Sequence, residues 1–354
     1  MTAMLVRVGE RLIGAGHPCL IAAEIGINHN GDMALAEQSI DAAADAGADA
    51  VKFQNYQTEN FLHDNNLTYS YFSEGRKVTE SQYAMFKRCE LPTGALNKLK
   101  AHCDRRGLIF FSTPTSVMGV TELAATGAHL VKNGSDFLTN PGIVKQMAMS
   151  GLTTILSTGM ANLAEIDDAV RHYRSNGGKD LVLLHCTSSY PTPSDQINLR
   201  RIKTLHKSFG CPVGFSDHSE GVVAAVAAVV LGACIIEKHF TLSRALPGPD
   251  HSFSSDPAEF SLLVKSIRTA EAAMGDSQPG PTEAEQVGRT QFRLSCTASR
   301  ALTKGLRLME QDICMRRPGN GIEPRMMDSL VGLTLCQDLM AGQTLTWEHF
   351  KNVN

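Results

Sequence analysis

The chain has 354 residues, 43% of them hydrophobic, and its 33 Lys and Arg against 36 Asp and Glu leave a formal net charge of -3. At about 150 residues per domain, this length accommodates two domains or one large barrel with a small module. The near-neutral charge gives no reason to expect a nucleic-acid partner, and no apolar stretch reaches the roughly 18 residues of a membrane span. Charged residues inside the N-terminal apolar stretch argue against a signal peptide. Nine scattered cysteines without a C-x-x-C pair predict free thiols in a reducing cytoplasm.

Short apolar runs recur along the first three quarters of the chain, and helix-like segments follow most of them. We predict eight strands, over residues 19–28, 49–54, 108–114, 129–135, 153–159, 180–191, 211–219 and 234–240. Runs that are apolar and β-branched throughout are typical of strands buried on both faces of a parallel sheet. Eight alternations of strand and helix predict an α/β fold of the (β/α)₈ TIM-barrel type.

One connection, residues 55–91, is too long for a routine loop between a strand and a helix. It carries most of the tyrosines of the chain. We interpret it as an active-site insertion or lid; the alternative is a surface excursion without a role.

The composition changes after the last predicted barrel helix. Residues 276–286 are rich in Pro, Gly and acidic residues without apolar periodicity, which indicates a linker. We therefore predict a barrel domain over residues 1–275, a linker over 276–291 and a small, mostly β domain over 292–354. We expect the stability of a domain of that size to depend partly on packing against another domain or chain.

Polar side chains recur where the predicted strands end, and this is the edge at which barrel enzymes collect their chemistry. Since side chains two residues apart share a face of a strand, the pattern predicts a ring of functional groups. Its members are Glu24, Lys52, Gln54, Thr113, Lys132, Ser135, Ser157, Ser188, Tyr190, Ser216, His218, Glu237 and His239. One by one, these residues have ordinary explanations, such as solvated rim lysines and tight serine turns. Because they coincide at eight strand ends, we favour a functional site over these separate explanations.

This ring has a chemical interpretation. Lysine ammoniums with hydroxyl and backbone donors suit a phosphate or a carboxylate. His218 and His239, on neighbouring strands, are candidates to share one divalent ion. Two histidines do not complete a site, so we expect an exchangeable Mn²⁺, Mg²⁺ or Co²⁺ that substrate oxygens and water also coordinate. Glu237 is a candidate base beside it. The alternative is that one histidine only supports the site and the other lies in a loop.

The chain resembles the sialic acid synthase family, which makes nonulosonic acids from phosphoenolpyruvate, in motifs that follow the family's order: IAAEIGINHNGD, KFQ, FSTP, ILSTGM, LLHCTSSYPTP, GFSDHS, EKHFTL and GPDHS. The tail resembles that family's C-terminal SAF (antifreeze-like) domain, with RRPGNGIEP as its signature. The resemblance covers nearly the whole chain. It implies a metal-dependent condensation of phosphoenolpyruvate with an N-acylated hexosamine such as N-acetylmannosamine, with phosphate released by C–O cleavage.

The resemblance also implies roles for individual residues. Phosphoenolpyruvate would be held by Lys52, Thr113, Lys132, Ser135, Ser157, Ser188 and Ser216, and the metal by His218 and His239. The open-chain sugar would contact Gln54, Tyr190, Asp250 and, from the SAF domain of a second copy of the chain, Arg317. That last role implies a domain-swapped homodimer. Glu24 and Glu237 are both candidates for the base that activates water, and the sequence does not separate them.

Some positions depart from the family pattern near the expected sugar site. Gly134-Ser135-Asp136-Phe137 stands where many members have G-S-G-E, Ser188 where many have Asn, and Ser252-Phe253-Ser254 where many have K-A-S. The sugar therefore stays open between N-acetylmannosamine, a diacetamido sugar of the legionaminic or pseudaminic type, and another hexose, free or 6-phosphorylated. Two other functions remain as alternatives: a pyruvate aldolase with Lys52 or Lys132 as Schiff base, and a non-catalytic sugar-binding protein.

Overall fold

A computed structural model of the chain describes residues 5–64 and 66–350. It divides into two compact units, the first ending at Gly275 and the second beginning at Asp276. The strands of the first unit are β1 (Leu5–Val8), β2 (Arg11–Gly14), β3 (Leu20–Gly26), β4 (Ala50–Asn55), β5 (Thr68–Ser73), β6 (Arg76–Ser81), β7 (Ile109–Pro114), β8 (Leu130–Lys132), β9 (Thr153–Ser157), β10 (Leu181–Cys186), β11 (Val213–Asp217) and β12 (Ile235–His239). Its helices are α1 (Met33–Asp45), α2 (Gln82–Arg88), α3 (Ala95–Arg105), α4 (Val117–Ala125), α5 (Pro141–Met149), α6 (Leu163–Ser175), α7 (Arg201–Phe209), α8 (Val223–Val230) and α9 (Pro257–Met274).

Eight parallel strands close into a barrel in the order β3, β4, β7, β8, β9, β10, β11 and β12, and β12 pairs with β3. Every residue of β3, β9, β10, β11 and β12 is buried, because side chains fill the inside of the barrel and helices cover the outside. Side chains of Asp32, Asn162 and Asp256 accept backbone N–H groups and start α1, α6 and α9. The predicted TIM barrel is confirmed, with strands that end earlier than several predicted runs.

A hairpin of β1 and β2 precedes the barrel, and the sequence analysis did not predict it. Its inward side chains, among them Val8 and Ile13, are buried against the lower inner layer of the barrel, which includes Leu20, Leu130 and Ile235. The hairpin therefore closes the N-terminal end of the barrel with an apolar plug. A second, larger core lies between the strands and the surrounding helices.

The long connection is an ordered excursion that contains the hairpin β5–β6 and the helix α2. Glu74 and Gly75 form its two-residue turn, and both have positive φ angles, as a type I′ turn requires. The backbone N–H of Gly248 donates to Ser73 Oγ at 3.1 Å, which ties the hairpin to the loop after β12. The hairpin is therefore anchored on the side of the barrel where the strands end.

The second unit contains α10 (Gln286–Gln291), β13 (Ser295–Ala298), β14 (Ile313–Arg316) and α11 (Met327–Leu330). The strands β13 and β14 pair antiparallel, and the unit has its own apolar core, which includes Leu302, Leu335 and Leu345. The end of the expected linker forms α10, in which no residue is buried. Across residues 5–64 and 66–350, none of the helices combines the length and apolar character that a membrane crossing requires.

Candidate active site

The inner face of the barrel changes from apolar to polar along the strands. On β3 the inward positions are Leu20, Ala22 and then Glu24, and on β12 Ile235 is followed by Glu237. The polar layer lies at the carboxyl ends of the strands, above the apolar layer and the hairpin plug. The two-residue period of the strands therefore places the functional side chains, as the sequence pattern predicted.

Two lysines and two glutamates form a buried charge cluster in this layer. Lys52 Nζ lies 2.7 Å from Glu24 Oε2 and 3.8 Å from Glu237 Oε1. Lys132 Nζ lies 3.4 Å from the same Glu237 Oε1, and Lys52 also donates to Thr113 Oγ1 at 3.1 Å. None of the four charged residues is more than 5% exposed. With a single partner at 3.4 Å, the Lys132 ammonium keeps donors for an incoming anion.

The two carboxylates differ in their environment. Burial raises the pKa of Glu24, and Lys52 offsets this only in part. Burial also acts on Glu237, yet the ammoniums of Lys132 and Lys52 outweigh it and lower the pKa of Glu237. Although burial disfavours the charged amine of Lys132, Glu237 raises its pKa. The cluster thus keeps Glu237 ionised and Lys132 protonated.

Hydroxyl groups from four neighbouring strand ends converge beside the lysines. Ser135 Oγ lies 2.9 Å from Ser157 Oγ and accepts the backbone N–H of Gly159 at 3.1 Å. A Cβ on Gly159 would lie 2.4 Å from Ser188 Oγ, so only glycine permits this approach. Ser216 donates to Glu237 Oε1 at 3.1 Å. The lysines and these hydroxyls form a concave set of donors that suits an anion.

The two histidines predicted as metal ligands face each other across the mouth, with ring centroids 5.4 Å apart. His218 Nδ1 lies 2.9 Å from the carbonyl oxygen of Thr187, which places a proton on Nδ1, and His218 Nε2 lies 3.4 Å from Ser216 Oγ. His239 Nδ1 is buried without a hydrogen bond, 3.7 Å from Asp250 Oδ2. The unpartnered Nδ1 of His239 beside the His218 ring fits a divalent ion, as the donor chemistry predicts.

A metal site of protein atoms alone is not built here. Over the described parts of the chain, no three His, Cys, Asp or Glu side chains are grouped so that they could hold a metal ion. Water and substrate oxygens would have to supply the other ligands, which is the behaviour expected of Mn²⁺, Mg²⁺ or Co²⁺ and not of a structural zinc.

An aromatic and acidic rim surrounds the histidines. The Tyr190 ring lies 4.2 Å from that of His218 and 5.4 Å from that of Phe253, centroid to centroid. Gln54 Nε2 donates to Glu24 Oε1 at 3.2 Å. Burial raises the pKa of Asp250 to about 7. Tyr190 is 43% exposed, so the rim is open to solvent.

A single cavity of about 690 Å³ gathers the predicted site residues of the first unit. Its lining includes Glu24, Lys52, Gln54, Thr113, Lys132, Ser135, Ser157, Ser188, Tyr190, Ser216, His218, Glu237, His239 and Asp250. Arg317 belongs to the second unit, where its guanidinium lies 5.4 Å from the centroid of the Phe292 ring.

The cavity also contains residues that the sequence analysis missed. Cys186 ends β10, and its Sγ lies 3.9 Å from His218 Nδ1. The two-residue period that identified Ser188 would have found it. Asp136, whose pKa burial raises, directly follows a predicted site residue. Tyr69 and Gln82 line the cavity from the long insertion, as the active-site interpretation of that segment predicts, but no local signal identifies them.

Comparisons with known proteins agree with this architecture. Residues 39–279 match the NeuB family and residues 295–351 match the SAF domain. The chain is 39% identical to N,N'-diacetyllegionaminic acid synthase of Legionella pneumophila over 96% of both chains. It is 30% identical to human N-acetylneuraminate-9-phosphate synthase over 97% of both. The crystal structure of N-acetylneuraminic acid (sialic acid) synthetase from Leptospira borgpetersenii, in complex with citrate, superposes with a TM-score of 0.73 at 35% identity, covering 81% of this chain and 95% of that one.

Proposed function

Because this chain belongs to the NeuB family, whose relatives are nonulosonic acid synthases, we propose that it condenses phosphoenolpyruvate with an N-acylated hexosamine and releases phosphate. The observation that carries the proposal is the buried anion cradle, Lys52 and Lys132 with the serine hydroxyls, beside a pair of histidines of which His239 has an unpartnered Nδ1. The cradle binds the phosphate and carboxylate of phosphoenolpyruvate, and the histidines mark the sugar's reactive end.

The sugar is held at the rim of the cavity. Tyr190, Gln54 and Asp250 orient its open chain so that the aldehyde points toward the histidines. His218 and His239 would hold the divalent ion, which when bound supplies a Lewis acid at the aldehyde oxygen. This arrangement brings C3 of phosphoenolpyruvate to the aldehyde carbon. As the bond between them forms, the π pair of the aldehyde C=O moves to its oxygen, which takes up a proton, and C2 of phosphoenolpyruvate becomes electron-deficient.

Water then adds to C2, and a carboxylate accepts its proton. We assign this role to Glu237. Neither its Oε2 nor that of Glu24 has a hydrogen bond among the described residues, but Glu24 Oε2 is paired with the Lys52 ammonium at 2.7 Å. The bond from C2 to the phosphate oxygen breaks, and the departing phosphate keeps that electron pair next to Lys132. Its negative charge stays paired with an ammonium throughout.

The lysine aldolase is disfavoured by the same cluster. A Schiff-base lysine must reach its neutral form, which burial and cationic neighbours promote. Lys132 has a carboxylate neighbour and a raised pKa, and Lys52 is paired with Glu24. We therefore expect no adduct at either lysine when borohydride is added with pyruvate; an adduct there would support the aldolase.

The proposed reaction is tested by following phosphate release. Release should require phosphoenolpyruvate, an N-acyl hexosamine and a divalent ion together, should fall to background after chelation, and should return when Mn²⁺, Mg²⁺ or Co²⁺ is added. Full activity of the chelated protein would remove the metal role of His218 and His239. A soaked crystal without phosphoenolpyruvate density at the lysines would favour the non-catalytic sugar-binding protein.

A specific observation favours a diacetamido hexose as a second candidate for the sugar. The Legionella relative, at 39% identity, is a synthase of an N,N'-diacetyl product, and the two acetamido groups of such a product come from its sugar precursor. A panel of hexosamines with recorded product masses separates this sugar from N-acetylmannosamine.

We also propose that Arg317 from a second copy of the chain contacts the sugar's N-acyl group, in a domain-swapped homodimer. Arg317→Ala should then raise the sugar KM far more than the phosphoenolpyruvate KM. Mixed dimers of Arg317→Ala with Lys52→Met should regain about a quarter of wild-type activity, since half of the dimers carry one complete site. Equal effects on both KM values, or no recovery on mixing, would contradict the cross-subunit role.

A further inference from the structure

We propose that the long insertion builds an uncharged, apolar subsite that selects a sugar carrying methyl or acetamido groups, and not a phosphate, at the end away from its aldehyde. This inference rests on the proposed function, and it names the substrate class of the same cavity. The subsite is the aromatic wall, defined as Tyr56, Phe61, Tyr69, Met85 and Phe86, all of which line the cavity.

The aromatic wall is rigid because its rings hold one another. Tyr56, Phe61 and Phe86 pack edge to face, with centroids 5.1 to 5.6 Å apart. Tyr56 Oη donates to the carbonyl oxygen of Phe86 at 3.1 Å, so its polar end is satisfied within the wall. Met85, which also lines the cavity, is only 3% exposed. The surface offered to a ligand is therefore mostly carbon.

The aromatic wall lies beside the sugar end of the cavity and not beside the lysines. Ser73 on its hairpin accepts the N–H of Gly248, two residues before Asp250. Tyr56, Tyr69 and Asp250 line the same cavity. A sugar held by Asp250 and Tyr190 thus extends its remaining carbons toward the wall.

No cation is available there for a phosphate. Lys52 and Lys132 are the lysines in the lining of the cavity, which contains no arginine among the described residues. The basic side chains next to the wall are neutralised: Lys87 lies 3.0 Å from Glu59, and Arg88 lies 2.8 Å from Glu80.

These features decide between sugar substituents. A phosphate moved from water against aromatic carbon loses hydration without gaining an ionic partner, which is costly. A methyl or acetamido methyl group gains from leaving water. The human relative is named for a 9-phosphate product, so the family includes both kinds of substrate and the wall is a candidate for the difference.

The test compares three sugars with the full-length protein, phosphoenolpyruvate and Mn²⁺: N-acetylmannosamine, its 6-phosphate, and a 6-deoxy-diacetamido hexose. We expect kcat/KM to rise at least about tenfold from the first to the third, and to fall about 100-fold or more for the 6-phosphate. Equal or better use of the 6-phosphate would overturn the inference while leaving the synthase function intact.

Variants of Tyr69 test whether the aromatic wall causes the selectivity between sugars. Tyr69→Ala should lower kcat/KM for the diacetamido sugar about tenfold with an unchanged KM for phosphoenolpyruvate, and Tyr69→Arg should raise the relative use of the 6-phosphate. Phe72→Ala is the matched control, because Phe72 is on the opposite face of the same strand and is 61% exposed. If Phe72→Ala matches Tyr69→Ala, the wall does not select the sugar.

If the protein turns over none of the sugars, the proposed function is overturned. The inference about the aromatic wall can then still be tested by direct binding. Calorimetric titration of each sugar into the Mn²⁺-loaded protein should rank the diacetamido sugar first and the 6-phosphate last. The reverse ranking would contradict the proposal that the aromatic wall selects a sugar without a phosphate.

Discussion

Glu237 is in contact with both lysines and a serine through one oxygen, while its other oxygen is free. That division makes it both the counter-ion of the anion cradle and the candidate base. On Glu24, Oε1 accepts a hydrogen bond from Gln54 and Oε2 lies 2.7 Å from the Lys52 ammonium. The two glutamates are equivalent in the sequence, and only their partners in the barrel separate them.

Replacing each glutamate by its amide tests this assignment. Glu237→Gln should lower kcat about 100- to 10,000-fold, the usual contribution of a general base, with a smaller change in the sugar KM. Glu24→Gln is the matched control and should cost less kcat, because it removes a partner of Lys52 and not the proton acceptor. Steady-state kinetics measure both, and a larger loss in Glu24→Gln would reverse the roles.

Lys238 and Asp217 form a second buried ion pair, on the outer face of β11 and β12. Lys238 Nζ lies 2.9 Å from Asp217 Oδ2, and both side chains are at most 2% exposed. The pair links the two strands that carry His218 and His239. Because the ion pair lies outside the cavity lining, we assign it a structural role, which is to hold the ends of β11 and β12 in place.

Removing one partner of this pair leaves an uncompensated buried charge. Lys238→Met should therefore lower the free energy of unfolding by about 3 to 5 kcal/mol, measured in urea. The double variant Lys238→Met with Asp217→Leu should recover a large part of the loss. A double variant as unstable as the single one would show that the pair itself stabilises the fold.

Among the barrel strands, β11 depends on a glycine facing inward. A Cβ on Gly214 would lie 2.5 Å from Leu184 Cδ2 and 2.6 Å from the carbonyl oxygen of Ile235. The neighbouring strands β10 and β12 thus approach too closely for any side chain at this position. The apolar layer below the site is packed to its limit here.

Gly214→Ala should consequently lower the free energy of unfolding by about 1 to 3 kcal/mol, the usual cost of overpacking. Thermal unfolding measures this as a lower Tm. Gly280→Ala is the control, since its Cβ would meet open space, and it should change Tm little. Equal shifts for both variants would contradict the overpacking explanation.

The sequence predicted the barrel strands because their signal is local: each is an apolar run that the fold buries on both faces. The polar ring followed from the same two-residue period, and it placed Glu24, Lys52 and Glu237 in one cavity. Their chemical roles stay predictions. The sequence analysis did not predict the hairpin β1–β2. Its four-residue strands have only two or three apolar positions each, such as Val6 and Val8, and this is too few to show a strand pattern.

The aromatic wall could not be derived in the same way. Tyr69 gains its position through the contact of Ser73 with Gly248, residues far apart in the chain. No periodicity within residues 55–91 encodes that contact. Long-range docking therefore limits what the sequence reveals about the sugar side of the site, whereas the anion side lies on the strands themselves.

At the scale of the whole molecule, two buried histidines make the free energy of unfolding depend on pH. Burial lowers the pKa of His29 and of His251 to about 4 each. Both are therefore neutral in the folded protein near neutral pH, while in the unfolded chain they titrate near the ordinary value of about 6.5. Since the unfolded chain binds protons first as the pH falls, these groups contribute stability above pH 6.5 that is lost between 6.5 and 4.

The expected loss is on the order of 3 kcal/mol for each imidazole, measured by urea unfolding at pH 7, 5.5 and 4.5. Replacing both histidines by glutamine should flatten this pH dependence, because glutamine does not titrate. A double variant with the wild-type slope would assign the acid sensitivity to other groups.

The hairpin plug has a kinetic consequence. With the N-terminal end of the barrel closed, substrates enter and leave through the same mouth, and the anion cradle lies deeper than the Tyr190 rim. On the proposed function, a sugar at the rim would block the way to the cradle, so we predict that phosphoenolpyruvate binds first. An unreactive sugar analogue should then inhibit uncompetitively against phosphoenolpyruvate, and competitive or mixed inhibition would exclude this compulsory order.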